Sequence, residues 1–227
     1  MADLYLMRHG QTLFNARHRI QGWCDSPLTP LGREQARRAA RLLEGIEFDH
    51  AYCSTAERCC DTLEIVRPSM PYERMRGLKE RGFGLFEGEP EDLNPKWEDA
   101  YARVCPPVDG TRPDPSTWDG YEVVFPHFGG ETRMQVVDRM RVTCLKIMAR
   151  PGHERVLAVS SAGACRSFMM NWLTTTECED ILFEGRVPNC AVMRFSYIPP
   201  VAGDDGREGR FEFAEILRPD MSGLPTD

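Results

Sequence analysis

Short, largely apolar runs alternate with amphipathic segments along most of the chain. Residues 4–7, 49–53 and 155–160 are runs of this kind, and each ends abruptly at polar residues, which is typical of buried strands. Residues 30–44 and 132–149 instead carry apolar side chains at helical spacing. The alternation of strands and helices predicts an α/β fold, built as a three-layer α/β/α sandwich around a mostly parallel sheet.

Capping residues mark several helix starts. Thr29 is suited to cap a helix because its hydroxyl can accept a backbone N–H, and Pro30 suits the first helical position. Ser54 and Thr55 are expected to cap a second helix that ends near residue 66. The same reasoning predicts a helix from residue 161 to 173 and further strands at residues 72–75, 191–197 and 211–217.

Between residues 88 and 130 the regular pattern stops. Prolines cluster there with Trp97, Trp118, Phe125 and Phe128. This composition is too aromatic for a disordered linker and too interrupted for long helices. We predict an inserted, lid-like segment that forms a cap over the functional site of a single domain spanning residues 1–227.

The composition narrows the classes of partner. Hydrophobic residues make up 41% of the 227 residues, charged residues 28%, and the net charge is −7. The first two values are ordinary for a globular domain, and the acidic balance argues against nucleic acid or an anionic membrane as a partner. A small cationic pocket is still compatible with this balance, because it needs only a few arginines.

The same inspection predicts the compartment. No run approaches the roughly 20 apolar residues of a membrane helix, and no basic stretch precedes an apolar run near residue 1, so we expect no signal peptide. The nine cysteines are odd in number and form no CxxC pair. That usage favours reduced thiols over disulfides and argues against a zinc site, so we expect a cytoplasmic protein.

Polar groups follow three of the predicted strands. Arg8 and His9 follow the first, residues 54–58 follow the second, and Ser160 and Ser161 stand at the end of a later one. Ligands of open α/β sheets collect at the carboxyl ends of the strands. We therefore expect these groups to converge on one site.

Five segments, in this order, resemble motifs of the histidine phosphatase superfamily, which includes phosphoglycerate mutases and many small-molecule phosphatases. They are RHGQT from residue 8, DSPLT from residue 25, STAERCCDT from residue 54, LKERGFGLFEG from residue 78 and GGET from residue 129. RHG alone is a weak signal, whereas the ordered set is specific. The resemblance covers most of residues 1–200 and implies a domain of the histidine phosphatase type.

The resemblance implies that His9 attacks phosphorus and becomes phosphohistidine, while Glu80 protonates the leaving oxygen. Arg8 and Arg58 offer planar forks for the phosphoryl oxygens, and their charge disfavours protonation of His9. Asn15 adds a neutral donor. Because arginines neutralise the phosphate, neither a metal nor another cofactor is expected.

Four more residues are assigned by the same resemblance. Gln21 and Gly22 are expected to bind substrate, and Ser161 and Ala162 to bind phosphate. Ser161 departs from the family pattern, which has its second histidine at this position. A hydroxyl donates one hydrogen bond but carries no charge and reaches less far than imidazole.

Three explanations for Ser161 stay open on sequence grounds. The serine is a natural variation in an active branch, with His127 of the insertion substituting; or it marks a weakened or non-catalytic relative; or it is an engineered change. The hypothesis that catalysis survives depends on the other motif residues being present.

The segment LKERGFGLFEG favours hydrolysis over isomerisation. The mutase branch carries Glu-Arg-His-Tyr-Gly there and an Arg-Arg pair in the insertion, whereas this chain has GFG from residue 82 and no such pair. The sequence therefore predicts a phosphatase acting on a small-molecule phosphate ester. The alternatives are a phosphoglycerate mutase and a catalytically impaired phosphate-ester-binding relative, and the resemblance also allows a homodimer.

Overall fold

A computed structural model describes residues 2–91, 103–104, 120–182, 186–200 and 208–225. Most of the inserted segment 88–130 lies outside these residues. Its placement as a cap therefore stays a prediction.

Six strands form one sheet in the order β3-β2-β4-β1-β5-β6. The four strands from β3 to β1 are parallel, whereas β5 and β6 are antiparallel to their neighbours. The strands are β1 (Ala2–Arg8), β2 (His50–Ser54), β3 (Glu73–Met75), β4 (Arg155–Ser160), β5 (Val192–Ile198) and β6 (Arg210–Leu217). This confirms the mostly parallel sheet.

Helices cover both faces of this sheet. In chain order they are α1 (Leu13–Ala16), α2 (Pro30–Leu42), α3 (Glu57–Val66), α4 (Gly120–His127), α5 (Arg133–Met148), α6 (Ala162–Met169) and α7 (Thr175–Ile181). Leu4 and Leu6 of β1 pack into a core with α5 and α6, while Tyr5 and Met7 point to the other face and pack with α2 and α3. The alternation along one buried strand thus builds two cores, which confirms the three-layer sandwich.

The predicted cap is confirmed for α2 and wrong for α3. Thr29 accepts the N–H of Gly32 at the start of α2, and Thr132 forms a capping box at the start of α5. Helix α3 begins at Glu57 behind Ala56, which makes no side-chain cap. The Glu57 N–H instead donates to the carboxylate of Asp25, a distant residue that the tertiary fold brings to this helix end.

Two further boundaries differ from expectation. Helix α6 ends at Met169, before the predicted residue 173, and the chain turns there into α7, which sequence periodicity missed. The cysteines in the described parts of the chain are free thiols, and most are buried, as expected. No described helix has the length and apolar character needed to span a bilayer.

Candidate active site

The β1–β4 register brings the first and third polar groups together. Arg8 pairs with Ser160 at the last position of the two strands, so His9 and Ser161 follow side by side. The backbone N–H of His9 donates to the Ser160 carbonyl at 3.0 Å. The expected convergence at the carboxyl edge of the sheet is therefore present.

His9 is almost fully buried, with 4% of its surface exposed. Its Nδ1 lies 2.7 Å from the carbonyl oxygen of Gly10, and its Nε2 lies 3.2 Å from Nε of Arg58. A carbonyl only accepts and a guanidinium only donates, so these contacts assign the proton to Nδ1 and a lone pair to Nε2. The ring is thus a neutral imidazole whose Nε2 accepts from Arg58.

The surroundings of His9 favour this neutral form. Burial lowers the pKa of His9 well below its ordinary value, and the charges of Arg58 and Arg8 lower it further. The hydrogen bond to Gly10 acts in the opposite direction but is the weakest of these influences. His9 is therefore unprotonated at neutral pH.

Arg58 contacts both His9 and Ser161, and it is 1% exposed. It projects from α3, and each N–H of its guanidinium has an acceptor. Nε donates to His9, Nη1 to the carbonyl of Cys24 and the carboxylate of Asp25, and Nη2 to the carbonyl of Gly22 at 2.8 Å and the hydroxyl of Ser161 at 3.3 Å. The contacts to His9 and Ser161 are the ones that a phosphoryl group could take over.

The backbone around His9 is held by residues that the sequence analysis did not single out. The Thr62 hydroxyl accepts the N–H of Gly10 at 3.1 Å and donates to the carbonyl of Arg58 at 2.7 Å. The amide of Asn189 donates to the His9 carbonyl at 3.0 Å. Thr62 belongs to the segment STAERCCDT, which was a usable signal, whereas Asn189 lies outside every motif.

Glu80 is 6% exposed and is held at both oxygens. Oε1 accepts the N–H of Arg81 at 2.7 Å, and Oε2 accepts the N–H of Gly163, in the first turn of α6, at 2.8 Å. The Ser160 hydroxyl donates to the Leu78 carbonyl at 2.7 Å, which joins this segment to the end of β4. The predicted proton donor therefore lies beside the Ser161 end of the site.

Ser161 is 1% exposed and precedes α6 without capping it through its side chain. Besides Arg58, its hydroxyl has the Cys59 thiol 4.0 Å away. Ala162, the first residue of α6, is partly buried next to it. His127 is exposed and its ring packs against Phe128. The described contacts therefore do not support the explanation that His127 takes the place of the family's second histidine.

Arg8, Asn15 and Gln21 make hydrogen bonds to other protein groups. Arg8 donates through Nη1 to the carbonyl of Val187 at 2.6 Å. Asn15 accepts the N–H of Thr12 in the capping box of α1, and Gln21 accepts the Thr12 hydroxyl at 2.6 Å. Asn15 and Gln21 thus have structural contacts within their own loop.

The loop formed by residues 22–24 connects Arg58 to a further carboxylate. Glu87 accepts hydrogen bonds from the backbone of this loop, and Gly22 and Cys24 offer their carbonyls to Arg58. Trp23 is half exposed, and its indole N–H donates to the Glu80 carbonyl at 3.0 Å. The Lys79 ammonium lies over the Trp23 ring, 4.6 Å from its centroid. Glu87 was not among the predicted site residues, although it stands in the segment LKERGFGLFEG.

Within the described ranges, no cluster of three or more His, Cys, Asp or Glu side chains is arranged to hold a metal ion. Positive charge near His9 comes from arginines. The fold and the site together define an α/β protein with a neutral, buried imidazole in direct contact with a buried guanidinium.

The chain belongs to the histidine phosphatase superfamily (branch 1), whose family model matches residues 4–200. It is 30% identical over 200 residues to a protein of Proteus mirabilis named probable phosphoglycerate mutase GpmB, covering 87% of this chain and 86% of the relative. The crystal structure of a Bacillus anthracis phosphoglycerate mutase is 27% identical, with a TM-score of 0.69 and coverage of 86% and 87%. A mycobacterial glucosyl-3-phosphoglycerate phosphatase, 22% identical, shares the fold with a TM-score of 0.65 and coverage of 94% and 98%. Mutases and phosphatases both occur among the similar proteins, which supports phosphoryl transfer.

Proposed function

We propose that the protein is a phosphatase that transfers the phosphoryl group of a small phosphate ester to His9 and then to water, without a metal. The observation that carries this proposal is the neutral ring of His9, whose Nε2 faces the Arg58 guanidinium. A nucleophilic imidazole needs one nitrogen with a lone pair and the other held in place, and both conditions are met.

In the first step, the bond from His9 Nε2 to phosphorus forms as the bond from phosphorus to the ester oxygen breaks. The Arg58 Nε–H, which donates to Nε2 in the free protein, turns to a phosphoryl oxygen, and Nη2–H moves there from Ser161. Arg8 supplies a second positive charge. Charge on the transferring group is thereby stabilised where it develops.

Glu80 is proposed to give its proton to the departing ester oxygen, which leaves as an alcohol. In the second step, the resulting carboxylate takes a proton from water as the water oxygen attacks phosphorus and the bond to His9 breaks. His9 returns to its neutral form and Glu80 to its acid form, so the cycle is balanced.

The other predicted residues complete the proposal. Asn15, Ser161 and Ala162 are proposed to donate to phosphoryl oxygens, and Gln21 and Gly22 to face the rest of the ester. The cytoplasmic location and the homodimer stay predictions.

One observation favours a second candidate, a phosphate-ester binder with little activity. Ser161 lacks the charge and reach of the family's second histidine, and losing one such donor lowers a rate by a factor on the order of 10²–10³. Arg58 also has an acceptor for every N–H in the free protein, so binding must break contacts before it makes them.

The experiment that separates these candidates is chemical trapping of the intermediate. The chain is mixed with ³²P-labelled phosphate esters, and acid-labile, base-stable label on His9 is measured, with His9→Asn as control. We expect label that turns over to inorganic phosphate, and Ser161→His is expected to raise the rate. Background turnover by both the wild-type chain and Ser161→His would refute the phosphatase proposal.

A second assay addresses the mutase alternative. The protein is supplied with 3-phosphoglycerate and 2,3-bisphosphoglycerate, and 2-phosphoglycerate and inorganic phosphate are both measured. A phosphatase releases phosphate without accumulating the isomer. Formation of 2-phosphoglycerate faster than phosphate would favour the mutase.

A further inference from the structure

Glu87 holds the loop of residues 22–24 by its backbone. Its carboxylate accepts three successive N–H groups of that loop, those of Gly22 at 3.0 Å, Trp23 at 2.8 Å and Cys24 at 3.0 Å. The N–H of Phe83 adds a fourth contact at 2.9 Å. Successive backbone N–H groups around one anion form a nest, which favours negative charge at its centre.

The surroundings keep Glu87 ionised. Burial raises the pKa of Glu87, but hydrogen bonds from the Cys24 thiol and from the backbone of Phe83, Trp23 and Cys24 outweigh burial, and the pKa lies below its ordinary value. Glu87 therefore places a fixed negative charge behind the loop.

One peptide group connects this charge to Arg58. The peptide between Gly22 and Trp23 donates its N–H to Glu87 at 2.8 Å, and its carbonyl accepts Nη2 of Arg58, also at 2.8 Å. Nε of the same guanidinium contacts Nε2 of His9. Hydrogen bonds arranged in such a chain polarise one another, so each link strengthens the next.

Gly22 allows the close approach that this chain requires. A Cβ on Gly22 would collide with the carbonyl of Arg81 and would lie 2.5 Å from Oε1 of Glu87. Any larger residue would push the loop off the carboxylate. The glycine and the glutamate, 65 positions apart, therefore serve one geometric purpose.

We propose that Glu87 is a positioning residue, which acts through the Gly22–Trp23 peptide to hold the Arg58 guanidinium against Nε2 of His9. The proposal deepens the proposed function and rests on it, because it concerns the same phosphoryl-accepting site. Without the carboxylate, the loop carbonyls lose their alignment and Arg58 loses acceptors on the side away from His9.

The test replaces Glu87 with glutamine, which keeps the size but turns one acceptor oxygen into an NH₂ that faces the loop N–H groups. We expect phosphorylation of His9 to slow roughly tenfold to a hundredfold, because a small misplacement of a catalytic group has effects of this size. We also expect the pKa of His9, followed by NMR of its ring, to rise toward its ordinary value as Arg58 moves away. A role confined to stability would leave that pKa unchanged.

Glu131→Gln is the matched control. Glu131 also holds a backbone N–H, that of Gly82, and pairs with Arg139 at 2.8 Å, but it makes no described contact with the 22–24 loop or Arg58. Arg139 also donates to the Glu80 carbonyl at 3.3 Å, so the readout of this control is the His9 pKa, which we expect Glu131→Gln to leave unchanged. Glu87→Asp keeps the charge on a shorter stem, and we expect an intermediate effect, which also provides a milder variant if Glu87→Gln does not fold.

The outcomes are separable. The proposal is wrong if folded Glu87 variants keep the wild-type His9 pKa and phosphorylation rate, or if Glu131→Gln changes the His9 pKa equally. If wild-type His9 takes no label, the proposed function fails, yet the His9 pKa in the Glu87 variants still decides whether Glu87 positions Arg58.

Discussion

Replacing Gly163 with alanine is the sharpest test of Glu80 as the proton donor. Gly163 lies in the first turn of α6, where alanine is compatible with the backbone and favours helix by about 1 kcal/mol. The new Cβ would lie 2.6 Å from Oε1 of Glu80 and 3.2 Å from Oε2. Folding should tolerate the change, whereas the carboxylate should not.

The size of the displacement follows from these distances. Ordinary contact begins at 3.4 Å, so Oε1 must retreat by about 0.8 Å, the difference between 3.4 and 2.6 Å. The retreat strains the hydrogen bonds from Arg81 at 2.7 Å and from Gly163 at 2.8 Å, which leave Glu80 little freedom. A misplacement of about 1 Å can lower a rate on the order of 10²-fold, which is our estimate for a substrate that needs the proton.

The assay compares two leaving groups. The alkoxide of an alkyl phosphate such as glycerol 3-phosphate leaves poorly unless it is protonated. The p-nitrophenolate of p-nitrophenyl phosphate leaves without protonation. For Gly163→Ala we expect kcat/KM to fall about 10²-fold on the alkyl ester and less than about tenfold on the aryl ester. Glu80→Gln should give the same pattern, and thermal melting by circular dichroism checks the fold of both variants. An equal fall on both esters, or none, would refute the role assigned to Glu80.

Three further predictions address the frame of the site and its pH dependence. Thr62→Val removes the hydroxyl that accepts the buried N–H of Gly10. We expect the loss of this acceptor to lower the free energy of unfolding by about 1–3 kcal/mol, which urea denaturation measures. Because burial and the two arginines lower the pKa of His9, its phosphorylation rate should stay level as pH falls through about 6.5, and a half-maximal rate there in rapid-quench labelling would contradict this. Burial also lowers the pKa of His153 in the folded protein. The stabilisation from its neutral ring is therefore complete above about pH 6.5 and is lost as pH falls through the folded-state pKa. His153→Gln should remove this part of the pH dependence of the free energy of unfolding in urea titrations.

Local patterns were sufficient for much of the fold. The continuous apolar run of residues 4–7 predicted a buried strand, and the Thr29-Pro30 pair predicted the start of α2, because each signal acts over a few neighbouring residues. The polar residues that follow the strands also predicted the position of the site. Parallel strands bring their carboxyl ends to one edge whatever lies between them in the chain.

Local patterns gave a wrong prediction where a side chain distant in the sequence accepts a hydrogen bond from the first turn of a helix. Ser54 and Thr55 have the chemistry of a cap, but Asp25 reaches the first turn of α3 and also binds Arg58, so the helix begins later than predicted. No periodicity encodes such a contact.

The sequence by itself determined the fold class and the two helical layers, because periodicity is a property of neighbouring residues. The resemblance of its ordered motifs to a known family made His9, Arg58 and Glu80 candidates. Only the tertiary structure decided which nitrogen of His9 is available, that every N–H of Arg58 has an acceptor, and that Glu87 supports the loop behind it. These are contacts between segments far apart in the chain. They form only when the packed sheet brings those segments within hydrogen-bonding distance.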